Sequence, residues 1–192
     1  MTKLYTALAP SEIDCLVENV NKAPEGIIVC AGTWRGGDLM AMIAAQPERY
    51  FVVIDSFHGL TEPVEEDLGG DERADAGMFN IDGKENYIQN FIERDTRLPN
   101  EMHEMWITNE TIQTIKKQPI AMLWLDLDHF KPTRTCLQYF KENIVKDGII
   151  LVHDYALSIT PGVKRACDMF YDVWSHQDGG IWRGYDRIQK EK

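Results

Sequence analysis

Two short apolar runs each end in residues able to do chemistry. AMLWLDLD closes on Asp126 and Asp128, and GIILVHD closes on His153 and Asp154. If the runs are neighbouring strands, Asp126, His153 and Asp154 converge on one small volume. Carboxylates crowded in this way repel unless a proton or a cation intervenes. Oxygen donors with one imidazole suit Mg²⁺ or Mn²⁺, and the imidazole also admits Fe²⁺ or Zn²⁺. Without an ion the same cluster could act as a paired general acid and base. The bland alternative makes Asp126 and Asp128 caps of the turn at Lys131–Pro132–Thr133. Because His153 must be neutral to coordinate, ion affinity is expected to fall as the pH drops through the imidazole range near ~6.5.

A second group of residues suits a ligand of another kind. Cys30-Ala31-Gly32-Thr33-Trp34-Arg35-Gly36-Gly37-Asp38 follows one apolar run and opens a helical pattern. Glycines let a ligand approach the backbone, and a helix N-terminus offers free N–H groups and the positive end of a dipole. The loop could therefore hold a carboxylate or a phosphate. A dinucleotide fingerprint would need glycine where Trp34 stands, and a phosphate loop would need Lys-Ser/Thr after the last glycine, so neither applies. Asp55 closes the next run, near the ~20-residue offset at which a carboxylate grips ribose hydroxyls. An aspartate there suits a diol and repels a 2′-phosphate; otherwise it caps a turn. Asp55→Ala is expected to weaken ligand binding and to leave stability almost unchanged. Trp34 and Trp106, near strand ends, are the tryptophans placed to stack on a purine. His58, His103 and His176 have no partner spacing and read as surface or structural.

The elements that must position these residues alternate. Residues 26–31, 50–55, 121–128 and 148–154 are near-continuous apolar stretches, as strands buried on both faces should be, and residues 101–107 form a weaker one. Between them, helical patterns cover residues 11–20, capped by Ser11 with Asp14 at the capping-box position, and residues 38–45, 83–94, 133–143 and 161–174. Alternation of this kind predicts an α/β fold with a mostly parallel sheet, in which ligands gather outside the carboxyl ends of the strands. Residues 61–82 are acidic and weakly periodic, a loop long enough to serve as a lid or a binding loop.

Composition bounds the partners. A chain of 192 residues, 44% apolar and 27% charged, fits one globular domain and excludes collagen-like, low-complexity and disordered classes. Lys+Arg number 20 against 31 Asp+Glu, a net charge of −11 that repels phosphate backbones, so nucleic acid is not an expected partner. No apolar run approaches the ~20 residues that span a bilayer, and MTKLYTALAPSEID lacks the pattern of an export signal. A cytoplasmic protein without a membrane partner is expected. Cys15, Cys30, Cys136 and Cys167 are too scattered for a CxxC motif and read as reduced, mostly core residues.

In order along the chain, IIVCAGTWRGGDLMAMIA, VVIDSFHGLTEP, GMFNIDGKENYIQNFIE, NETI, LWLDLDHFKPT and GIILVHDYALSITPGVKRACDMF resemble the macrocin O-methyltransferase family. The resemblance spans residues 11–170. It implies a Rossmann-like class I methyltransferase fold over residues 1–192, S-adenosylmethionine as cofactor, and a sugar or phenol hydroxyl of a natural product as acceptor. On the family pattern, Gly32, Thr33, Trp34, Arg35, Gly36 and Gly37 would meet the methionine part of the cofactor. Asp55 and Ser56 would meet the ribose, and Glu110 and Thr111 would lie near the adenine. Asp126, His153 and Asp154 would hold a divalent metal, with Asp126 also the base for the acceptor hydroxyl.

The chain departs from that pattern at Cys30, which replaces an acidic residue, and at His153, which replaces a carboxylate. It is also shorter than typical members, so elements that cover a large acceptor are expected to be reduced. Aromatics near the C-terminus suggest a homodimer. Two other readings use the same residues: a cofactor-binding protein without catalysis, and a metal-dependent hydrolase, which would leave the glycine loop and Asp55 without a task.

Overall fold

The computed structural model describes residues 6–69 and 74–185. Residues 1–5, 70–73 and 186–192 lie outside that description, and with them a part of the acidic loop. The strands are β1 (Ile27–Ala31), β2 (Phe51–Asp55), β3 (Glu101–Glu104), β4 (Ile120–Leu125), β5 (Ile144–Val152), β6 (Val173–Asp178) and β7 (Ile181–Tyr185). They make one seven-stranded sheet in the order β3-β2-β1-β4-β5-β7-β6. Strands β1 to β5 pair in parallel, whereas β7 runs antiparallel to both β5 and β6. This is the single α/β domain with a mostly parallel sheet that the alternating pattern predicts.

Helices cover both faces, which is why the central strands read as unbroken apolar runs. Along β1, Ile28 and Cys30 face one side and Val29 and Ala31 the other, the two-residue period of a strand. The first side packs on Leu16 and Val20 of α1 (Pro10–Lys22), Leu39, Met42 and Ile43 of α2 (Gly37–Ala45), and Tyr87 and Phe91 of α3 (Lys84–Ile92). The second packs on Leu137 and Phe140 of α4 (Phe130–Phe140) and Val163 and Cys167 of α5 (Pro161–Cys167). Cys30, Cys136 and Cys167 are buried and all four cysteines are free thiols. No helix among the described residues is long and apolar enough to cross a membrane.

Two helix boundaries differ from the sequence pattern. Helix α1 starts at Pro10, not Ser11, and its N-cap is Ala9. Proline has no N–H to lose and its preset φ suits the first helical position. Glu12, not Asp14, then closes the cap by accepting the Ala9 N–H at 2.8 Å. Helix α5 ends at Cys167 instead of continuing to Trp174, because residues 168–170 turn and Val173 and Trp174 enter β6 against β7. Trp174 and Trp182 each sit 5.0 Å from the Tyr155 ring, so the C-terminal aromatics that suggested a second copy pack within the chain.

Register aligns the functional residues. Ala31 of β1 pairs with Ile54 of β2 and with Leu125 of β4, and Leu125 pairs with Val152 of β5. Asp55, Gly32, Asp126 and His153, each the next residue on its strand, therefore leave the carboxyl edge in one row. The row is crowded: Gly32 has φ +76, and a Cβ there would sit 1.8 Å from the Asp126 carbonyl oxygen. Gly32→Ala should therefore destabilise the fold by at least about 2 kcal/mol, the combined scale of left-handed strain and a backbone clash. Urea unfolding that leaves the midpoint unchanged would contradict this crowding.

Candidate active site

Beyond that row the chain leaves a cleft enclosing about 960 Å³, part of it open solvent, within the size range of small-molecule sites. Gly32, Thr33, Trp34, Asp55, Ser56, Asp126, His153 and Asp154 line it together. The other walls come from Thr6–Leu8, Leu60, Phe79 and the 105–107 segment. The distant sequence motifs thus form one site. Among the described residues of the acidic loop, Thr61 and Phe79 line the cleft, and Asp67 anchors the loop by accepting the Phe130 N–H at the start of α4 at 2.6 Å.

Asp55 clamps the glycine loop. One carboxylate oxygen accepts the Thr33 and Trp34 N–H groups at 2.8 and 3.2 Å, and the other accepts the Phe57 N–H at 2.7 Å. Trp34 is held at φ 44, a conformation bulky residues seldom adopt. Burial pushes the Asp55 carboxyl up, against the pull of these three donors. A carboxylate offers about four acceptor positions, so Asp55 retains room for one further donor rather than for a pair. Ser56 is engaged too, donating to the Gly59 carbonyl at 2.8 Å and accepting the His58 N–H at 3.1 Å.

Other expected cofactor residues stand back from the cleft. Gly36 caps α2 in the left-handed conformation, Gly37 is the first residue of that helix, and the Arg35 guanidinium lies over the Trp34 ring at 4.7 Å. Thr111 donates to the Trp106 carbonyl at 2.7 Å, while Glu110 accepts from the Thr108 hydroxyl at 2.8 Å. Glu110 and Thr111 thus shape the turn that carries Trp106 and do not line the cleft. Trp106 lines it, with 48% of its surface exposed and its indole N–H on the Gly59 carbonyl at 3.1 Å.

The acidic cluster is as tight as its strand ends predict. His153 Nδ1 lies 3.4 Å from Asp126 Oδ1 and 2.6 Å from Asp154 Oδ1. One donor atom from each residue falls within 4.8 Å of the others, a spacing that could hold a metal ion. The Nδ1–Asp154 approach is an ion-pair contact and not an aligned hydrogen bond, since Asp154 Oδ1 is buried without a hydrogen-bond partner among the described residues. A buried carboxylate oxygen without an aligned hydrogen bond, 2.6 Å from Nδ1, suits a cation beside it, whether the imidazolium or a metal ion. Burial opposes charging of His153, but Asp126 and Asp154 outweigh it and push the imidazole up to about 12. The expected transition near ~6.5 is therefore displaced: over the neutral range a proton and a metal ion compete for Nδ1. Burial, then repulsion from Asp126 and Asp154, drives the Asp128 carboxyl well above the usual range.

Two acidic residues of the site carry little sequence signal. Asp38, 5% exposed, accepts the Trp124 indole N–H at 2.9 Å, and burial pushes it up to about 7. An acidic residue leading an otherwise apolar helix face was its one sequence clue. Glu12 reaches His153 Nε2 at 3.2 Å from a helix 141 positions away, which no local pattern could reveal.

Residues 11–184 match the family model of the macrocin-O-methyltransferases (TylF). Among solved structures, the O-methyltransferase NovP superposes with a TM-score of 0.75 at 21% identity, over 95% of this chain and 83% of that one. CalS11, a calicheamicin methyltransferase, does so with a TM-score of 0.71 at 20% identity, over 91% and 77%. An O-methyltransferase from Bacillus cereus in complex with SAH gives 0.56 at 10% identity, over 94% and 84%. At these identities the likeness is one of fold. No curated protein matches the chain in sequence.

Asp55→Ala should cost about 2 to 3 kcal/mol of stability, because it leaves the Thr33, Trp34 and Phe57 N–H groups without their acceptor; an unchanged melting temperature would remove Asp55 from this clamp. The raised value of Asp38 has its own signature. The folded chain keeps a proton there that the unfolded chain releases near pH 4, so this contribution is full below about pH 4 and is lost as the pH rises through about 7. Asp38→Asn keeps an acceptor for Trp124 and should flatten melting curves between pH 4.5 and 8, with a gain at pH 8 bounded by about 4 kcal/mol. Parallel profiles for the two proteins would refute the buried acid.

Proposed function

The chain belongs to the macrocin-O-methyltransferase family and is a methyltransferase, and on that premise we propose that it methylates a hydroxyl of a small natural product with S-adenosylmethionine as donor. The acceptor is a sugar or a phenol, and Asp126, His153 and Asp154 hold a divalent ion, Mg²⁺ or Mn²⁺. The observation that carries the reading is the convergence of the glycine loop, Asp55 and the Asp126–His153–Asp154 cluster on one cleft. Sugar acceptors are favoured by the fold likeness to proteins described as a calicheamicin methyltransferase and as TDP-rhamnose 3′-O-methyltransferase.

When bound, the cofactor supplies a methyl group on a cationic sulfur, and a divalent ion supplies charge that lowers the pKa of a nearby hydroxyl. The protein's part is positioning and proton transfer. Thr33 and Trp34, fixed by Asp55, present the loop to the methionine end; Asp55 accepts one ribose hydroxyl; Trp106, Ile107 and Leu127 offer an apolar wall to the base. Asp55, Asp126 and Asp154 bring carboxylates to the cleft, which suits a sulfonium. Asp126, whose Oδ1 lies 3.4 Å from His153 Nδ1, takes the acceptor's proton as the oxygen–methyl bond forms and the carbon–sulfur bond breaks. Holding the acceptor oxygen in line contributes most of the rate.

Asp126→Asn should lower methyl transfer by 10²-fold or more, the scale of general-base catalysis, while calorimetry finds the S-adenosylmethionine affinity within about threefold of wild type. Transfer is read by mass spectrometry on nucleotide-sugar and phenol acceptors. A variant with near wild-type turnover would exclude Asp126 as the base, and failure of the wild-type chain to bind S-adenosylmethionine would overturn the reading as a whole.

A further inference from the structure

Helix α1 sends one side chain into the cluster from outside the sheet. Glu12 is 6% exposed, and both oxygens of its carboxylate are engaged. Oε2 accepts the Ala9 N–H at 2.8 Å. Oε1 accepts the Gly180 N–H in the β6–β7 turn and lies 3.2 Å from His153 Nε2. Two adjacent glycines keep that arrangement open. A Cβ on Gly179 would meet Glu12 Oε1 at 2.2 Å, and a Cβ on Gly180 would meet His153 Nε2 at 2.5 Å. The turn is shaped around the Glu12–His153 pair.

We propose that Glu12 is the positioning residue of the site: its carboxylate takes the Nε2–H of His153 and so holds the imidazole with Nδ1 directed at Asp126 and Asp154. The inference rests on the reading of Asp126, His153 and Asp154 as a cation site. A histidine that binds a metal through one ring nitrogen is commonly fixed by a carboxylate on the other, and loss of that partner costs about 10- to 100-fold in affinity. An aspartate at position 153 would have no second nitrogen to orient, so Glu12 has this task only because His153 is present. The carboxylate also ties α1, and with it the cleft-lining Thr6–Leu8 segment, to the same turn.

The test is a double-mutant cycle on the full-length chain at fixed pH, with Mn²⁺ affinity read by electron paramagnetic resonance. Glu12→Ala removes the acceptor of the Nε2–H and should weaken Mn²⁺ binding about 10- to 100-fold. In the His153→Asp background the same change should leave Mn²⁺ affinity within about threefold, since no imidazole remains to orient. Equal losses in both backgrounds, or no loss in either, would overturn the proposal and leave Glu12 a helix and turn cap. Long-range ¹H–¹⁵N spectra supply a readout free of metal: His153 Nε2 should be protonated in the wild type and lose that fixed signature in Glu12→Ala. If the wild type takes up no Mn²⁺, the cation site falls, and these spectra alone decide Glu12, an altered Nε2 signal supporting it and an unchanged one overturning it. Should Glu12→Ala fail to fold, Glu12→Asp, too short to reach Nε2, replaces it with the same expectations.

Discussion

Everything at the site depends on one row of the parallel sheet. Ala31, Ile54, Leu125 and Val152 are locked side by side by backbone hydrogen bonds, and the residues that follow them emerge together at the carboxyl edge. The Asp126 and His153 N–H groups still extend that ladder, donating to the Ala31 and Leu125 carbonyls at 2.9 Å each. A slip of one residue on β4 or β5 would turn an apolar side chain into the cleft and a carboxylate into the core. The buried faces forbid such a slip, so the core that stabilises the fold also sets the geometry of the chemistry.

That geometry concentrates negative charge, and the fold meets the cost with fixed donors. Backbone N–H groups of the glycine loop hold Asp55, the Trp124 indole holds Asp38, and His153 lies among Glu12, Asp126 and Asp154. Preorganised donors of this kind do not need to reorient when a cation arrives. Among the described carboxylates of the row, Asp154 Oδ1 is buried without an aligned hydrogen bond. The proposed ion would complete that shell.

The imidazole gives the chain its own character. A carboxylate at position 153 would add another negative charge to the row, whereas His153 carries a positive one with its value pushed up to about 12 by Asp126 and Asp154. The cluster can thus remain compact with a proton where a metal ion is proposed to sit. Proton and ion then exclude each other at Nδ1, which couples occupancy of the site to pH. Glu12 holds the other side of the ring in either state.

Local sequence determined what local physics decides. Apolar runs with a two-residue period, separated by amphipathic patterns, dictate strands and helices, and their alternation dictates a parallel sheet with its ligand site at the carboxyl ends. Gly32, Thr33, Trp34, Asp55, Ser56, Asp126, His153 and Asp154 were legible for that reason, since each closes a strand or stands within three residues of its end. Boundaries were less so: Pro10 and Glu12 outcompeted Ser11 and Asp14 at the start of α1, and pairing with β7 drew Val173 and Trp174 out of a helical pattern into β6. Only the tertiary structure decided that Asp55 spends three of its acceptor positions on the chain's own backbone, that Asp38 is buried, and that Glu12 faces His153. Those facts arise from contacts between segments far apart in the chain, whose distance and burial no spacing encodes.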